Sequence, residues 1–215
     1  MYDIAIMKPL ADIARSYYTD ELPYHNFAHI ELTLRIAKKL TRRCRQAGVS
    51  PNWPVIKASL LFHDAGYHID SKSLGHTTKE AFSASIADKE LKKAGYDAGM
   101  RRKVRQYIMA TRIFGRARTL EQKIVRLADA SAGMDGSFSN FMRSNRALEQ
   151  EWHKLYGAIS HEQWCAQTKL VVSRYIRSDL SVPNIEPRLD AAFNESVRRN
   201  LRTFLRDEAA HHEGK

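Results

Sequence analysis

The 215-residue chain is 43% hydrophobic and 27% charged, which excludes a disordered chain, a collagen-like fibre and a small disulfide scaffold. At roughly 100–200 residues per domain, it reads as one domain over residues 1–210, able to bury roughly 70% of its unfolded surface. Its 35 Lys and Arg against 24 Asp and Glu leave a net charge of +11, which favours anionic partners.

Taken in chain order, nearly every segment repeats its apolar residues at the helical period. Asp3, Lys8, Asp12 and Arg15 interrupt the first segment, so it does not have the pattern of a signal peptide. Ile30, Leu34, Ala37 and Cys44 mark one stripe of a helix over about 27–47. After Pro51 and Pro54, the run from Val55 to Phe62 predicts a strongly apolar helix, stopped at Gly66 by a left-handed cap. A polar loop from His68 to Thr77 precedes helices expected over 78–94, 99–112 and 119–132. These complete a motif-bearing part over about 20–135, and further helices are expected over 136–207. Phe138, Phe141 and Trp152, then Trp164, Val171 and Tyr175, mark two of them. Pro183 and Pro187 break the chain before a last helix over about 188–207. Its stripe of Leu189, Phe193, Val197, Leu201 and Phe204 is expected to pack on its own bundle or, in a homodimer, on a second copy. Residues 208–215, with His211 and His212, read as a frayed tail. No alternating strand pattern or repeat appears, so the expected fold class is all-α, a bundle of eight or nine helices.

Cys44 and Cys165 stand far apart in no ligand spacing, as packing thiols of a reducing compartment. No apolar run approaches the roughly 18 residues of a membrane span, so the expected location is cytoplasmic with no membrane partner. The basic excess clusters at Arg35–Arg45, Arg101–Arg105, Arg112–Arg118 and Arg198–Arg206. No nucleic-acid recognition motif accompanies it, which favours solvated helix faces or a field that steers phosphorylated small molecules.

Three places break the apolar logic, each with potential metal ligands. In Tyr24-His25-Asn26-Phe27-Ala28-His29 the histidines are four apart, and Asn26 is also a candidate helix cap. His63-Asp64 closes the most apolar helix, and Asp129 lies among Leu127, Ala128 and Ala130. A carboxylate in such a setting needs a cation or several hydrogen bonds, and Arg126 is one candidate partner for Asp129. One histidine of the first place, with His63, Asp64 and Asp129, gives two imidazoles and two carboxylates, enough for one ion with open positions for water.

This ordered H…HD…D set resembles the HD superfamily of metal-dependent phosphohydrolases over roughly residues 20–135. The resemblance implies an HD-type helical domain with His29, His63, Asp64 and Asp129 as metal ligands. Tyr24 to His29 also resembles the YHNxxH signature of class I cyclic-nucleotide phosphodiesterases. That likeness implies His25 as general acid and Asp64 as a catalytic carboxylate bridging towards a second ion. The implied cofactor is Mn, Fe or Zn at the tight site, with Mg or Mn at a wetter second one. The implied reaction is hydrolysis of a phosphate ester, in a nucleotide or related small molecule, by water that the ion acidifies.

Some positions depart from those families. The helix carrying Tyr107 to Thr111 lacks the extra histidine of many two-metal HD enzymes, and Tyr67 stands where the phosphodiesterases have a histidine. His68 and His76 are the nearest substitutes, and cyclic-nucleotide specificity does not follow. Glu80, one turn before Ser83, is either a carboxylate orienting ligand or water, or a helix cap. Tyr24, Asn26, Glu80, Thr111 and Arg112 complete the candidate substrate-binding set. The alternatives are a catalytically quiet ligand-binding domain and a di-iron HD oxygenase, which needs more histidine ligands than can be placed between Asp64 and Asp129.

Overall fold

The computed structural model describes residues 4–176 and 189–213, and these fold into nine helices with no strand among the described residues. The helices are α1 (Ile4–Arg15), α2 (Phe27–Gln46), α3 (Trp53–Phe62), α4 (Lys79–Lys93), α5 (Ala98–Ala110), α6 (Leu120–Met134), α7 (Phe138–Tyr156), α8 (His161–Ile176) and α9 (Ala191–Glu213). The all-α expectation holds. Six starts are capped by side chains that accept otherwise orphaned amides: Asn26, Asn52, Thr78, Asp97, Thr119 and Ser137. Thr119 forms a reciprocal capping box with Gln122.

Helix α3 is the central strut. Val55, Ile56, Ala58, Leu60, Leu61 and Phe62 are all buried, because α1, α2, α4, α5 and α6 surround it. Gly66 has φ of 75°, and its amide donates to the Tyr17 carbonyl at 3.0 Å. It lies four residues past the end of α3, so the left-handed turn closes the His63–Tyr67 segment rather than the helix itself. A Cβ there would lie 2.7 Å from the Phe82 ring, so close packing against α4 also calls for glycine.

The last helix packs on its own bundle, against α6, α7 and α8, with Leu189, Phe193, Val197, Leu201 and Phe204 buried. It runs to Glu213, beyond the expected end at 207. Ala209, Ala210 and Glu213 are strong helix formers, which accounts for the extension through much of the expected tail. Pro183 and Pro187 lie outside the described residues. No helix among the described residues is long and apolar enough to cross a membrane. Two of the basic clusters converge: Arg102, Arg105, Arg116 and Arg118 line one open groove with Lys89, between α4, α5 and the start of α6.

Candidate metal centre

Three helices deliver the four predicted ligands to one point. Asn26 accepts from the amides of Ala28 and His29 at 3.0 and 3.3 Å, which fixes the first turn of α2 and with it His29. His63 and Asp64 sit just past the C-terminus of α3, and Asp129 lies mid-helix in α6, which packs against both α2 and α3. One donor atom from each of His29, His63, Asp64 and Asp129 lies within 4.8 Å of all the others, a set that could hold a metal ion.

The separations within the cluster are short. His63 Nε2 is 3.0 Å from Asp64 Oδ2 and 3.3 Å from Asp129 Oδ1. His29 Nε2 is 3.6 and 3.4 Å from the same two oxygens. His63 Nδ1 faces the Leu60 carbonyl at 2.9 Å, and a proton held there turns the Nε2 lone pair into the cluster. His29 Nε2 is buried and makes no hydrogen bond. An orphaned imidazole nitrogen aimed at one buried and one half-buried carboxylate is what a divalent cation would satisfy, so these residues fit an ion.

The electrostatics agree. Burial opposes charge on His63, but Asp64 and Asp129 outweigh it and hold the imidazole well above its usual pKa. Burial likewise opposes ionisation of Asp64, yet His63, Lys79 and His25 hold it well below the carboxylate range. The pocket therefore stabilises positive charge between two ionised carboxylates.

No protein-family profile, curated protein or solved structure matches this chain.

Beside the four ligands stands His25, whose Nε2 is 3.9 Å from Asp64 Oδ2. It precedes the first residue of α2, so it shares no helix face with His29, yet their ring centroids are 5.8 Å apart. Glu151, from α7, holds it: Oε1 pairs with His25 Nδ1, while Oε2 accepts from the amides of Tyr24 and His25 at 3.1 and 2.9 Å. Burial pushes the His25 pKa below its ordinary value against the pull of Asp64 and Glu151. Tyr67 stacks on the imidazole with centroids 3.7 Å apart. On the same tyrosine, the Lys79 ammonium sits 3.7 Å from the ring centroid, and it lies 3.6 Å from Asp64 Oδ1.

Tyr24 forms another wall, its ring 4.7 Å from that of His29. It reaches α6 at Gly133, where a Cβ would collide with the tyrosine hydroxyl and lie 3.0 Å from Cζ. This close approach, not a turn, accounts for a glycine inside that helix.

The other substrate-binding candidates make local contacts of their own. The Asn26 side chain is spent on capping and on donating to the Leu22 carbonyl at 2.9 Å. The Thr111 hydroxyl donates to the Ile108 carbonyl at 2.8 Å, and the Arg112 carbonyl accepts from Arg126. Glu80 is buried in the first turn of α4, next to Lys79, and Ser83 donates to the Ala65 carbonyl at 3.0 Å. Arg126 donates to the carbonyls of Ala110, Arg112 and Ile113, while Asp129 faces the imidazoles. His68 is exposed, and His76 lies against Phe82; neither joins the four-residue group. Glu151 and Lys79 carry no signal in the sequence, because each is one charged residue on an otherwise ordinary helix.

Proposed function

We propose that this protein is a metal-dependent phosphohydrolase that cleaves a phosphate ester in a nucleotide or related small molecule. The observation that carries the reading is the four-ligand cluster with an imidazole beside it, 3.9 Å from Asp64, backed by its own carboxylate. Mixed nitrogen and oxygen ligands suit Mn, Fe or Zn. Such an ion supplies Lewis-acid polarisation of a phosphoryl oxygen and a water nucleophile at neutral pH.

The chain's own residues do the rest. His29 and His63 present lone pairs, and Asp64 and Asp129 supply the negative charge that balances the ion. Glu151 keeps the Nδ1 side of His25 occupied, so Nε2 is the nitrogen that meets a leaving oxygen. Burial lowers the His25 pKa, which makes its protonated ring a readier donor to an alkoxide. Tyr67 covers one face of that ring and limits its rotation.

Metal analysis of the purified protein, with turnover of generic phosphate esters, tests the reading. Asp64→Ala and Asp129→Ala should lose the ion and all turnover while keeping their helical circular dichroism. Full metal occupancy in both variants would refute the ligand assignment. His25→Asn should keep the ion and slow alkoxide-leaving substrates by roughly 10²–10⁴-fold, with nitrophenyl esters affected less. Metal without turnover on mono- or diesters would favour a quiet ligand-binding domain.

A further inference from the structure

We infer that the Lys79 ammonium is the second cation of this centre: one divalent ion sits in the four ligands, and Lys79 occupies the place of a second ion and binds a phosphoryl oxygen of the substrate. The inference rests on the phosphohydrolase reading above and narrows it to a mononuclear site.

Asp64 divides its two oxygens. Oδ2 faces His63, His29 and His25, at 3.0, 3.6 and 3.9 Å. Oδ1 faces Lys79 Nζ at 3.6 Å. In two-metal phosphoryl-transfer sites the ions stand roughly 3.5–4 Å apart, and a bridging carboxylate gives one oxygen to each. Here the outer oxygen already has an ammonium against it. A second divalent ion beside Asp64 Oδ1 would be repelled by that charge and would lack ligands. Among the described residues, the only group of three or more potential ligands is the one holding the first ion.

The ammonium is held without being used up. Tyr67 supports it through the face of the ring, and Asp64 attracts it from beyond hydrogen-bond distance. Its three donors have no hydrogen-bond acceptor among the described residues. The Lys79 side chain is 35% exposed where that of Asp64 is 6%, so of this pair Lys79 is the more open to solvent. With the ammonium 3.6 Å from Asp64, a phosphoryl group bound at the ion would lie within reach of both charges. A charged donor at that position neutralises the phosphoryl oxygens in the same way as the second metal of a binuclear enzyme.

The test uses metal-stripped full-length protein titrated with Mn²⁺, followed by inorganic phosphate. Wild type should bind one ion per chain, with the electron paramagnetic resonance spectrum of isolated Mn²⁺. Lys79→Met should still bind that ion but hold phosphate roughly 10–100-fold more weakly, the loss expected for one charge-assisted contact. Lys79→Arg should recover most of the affinity, and Lys79→Gln serves if the methionine variant misfolds. Two ions in the wild type, or unchanged phosphate affinity in the neutral variants, would overturn the inference. Failure of the wild type to bind any ion would instead refute the metal centre itself, before any Lys79 variant is compared.

Discussion

Two regions of this molecule place a cation on a tyrosine ring. At the corner between α5 and α6, the Arg126 guanidinium lies 4.4 Å from the centroid of Tyr175. At the mouth of the candidate metal centre, the Lys79 ammonium lies 3.7 Å from that of Tyr67. Arg126 is 1% exposed and donates to three backbone carbonyls at the end of α5 and just beyond it, while Tyr175 donates to a fourth, that of Thr111, at 3.2 Å. Its charge closes a helix terminus that would otherwise bury orphaned oxygens. Lys79 is a third exposed, rests on the Tyr67 ring, and has one carboxylate oxygen at 3.6 Å, beyond hydrogen-bond distance. Buried charge is thus not by itself a mark of function. What separates the two is the donor capacity left over once the local backbone has been served.

The contrast breaks most readily at Arg126. Arg126→Met should destabilise the fold by about 3 kcal/mol or more, because several buried carbonyls lose their partner together. In a chain of this length that corresponds to a fall of roughly 6–12 °C in melting temperature, readable by calorimetry. Neutralising Lys79 should move the same transition by less than about 1 kcal/mol, as expected for a partly exposed ion pair. Equal losses at the two sites would erase the distinction.

Glu151 sharpens it, since this carboxylate serves both backbone and side chain. Glu151→Gln keeps the shape, but one of its termini becomes a donor facing an amide or the His25 ring. Turnover should fall roughly 10–100-fold, the usual cost of losing a supporting contact, with metal content unchanged. Steady-state kinetics beside elemental analysis separates that outcome from loss of the ion. A modest effect is expected at Gly133. Gly133→Ala gains about 1 kcal/mol of helix propensity and loses about 1–3 kcal/mol to overpacking against Tyr24. The net destabilisation should be about 1 kcal/mol, measured by urea denaturation.

Much of the scaffold was legible because helices announce themselves locally. The helix expected over 27–47 is observed over Phe27–Gln46, and that expected over 78–94 over Lys79–Lys93. Caps such as Asn26 and Thr119 act on amides two or three residues away, within any short window of sequence. Helix ends were less legible, as at Gly66 and at the last helix, where tertiary contacts and mild propensities shift the boundary. Asn26, Thr111 and Arg112 are candidate substrate contacts in the sequence. Their described contacts are a cap, a turn and a helix terminus.

By itself, then, the sequence determined an all-α chain and the order in which His29, His63, Asp64 and Asp129 occur. Apolar period, caps and breakers all operate within about one helical turn, so they are written in neighbouring residues. Only the tertiary structure decided that Glu151, 126 residues from His25, would hold that histidine. It alone set Lys79 against the outer oxygen of Asp64 and brought Tyr24 up to Gly133. The reason is physical: one charged residue or one glycine on a helix leaves no periodic trace, and its partner is chosen by how helices pack. That packing sums many weak apolar contacts across the whole bundle, and no short stretch of sequence contains it.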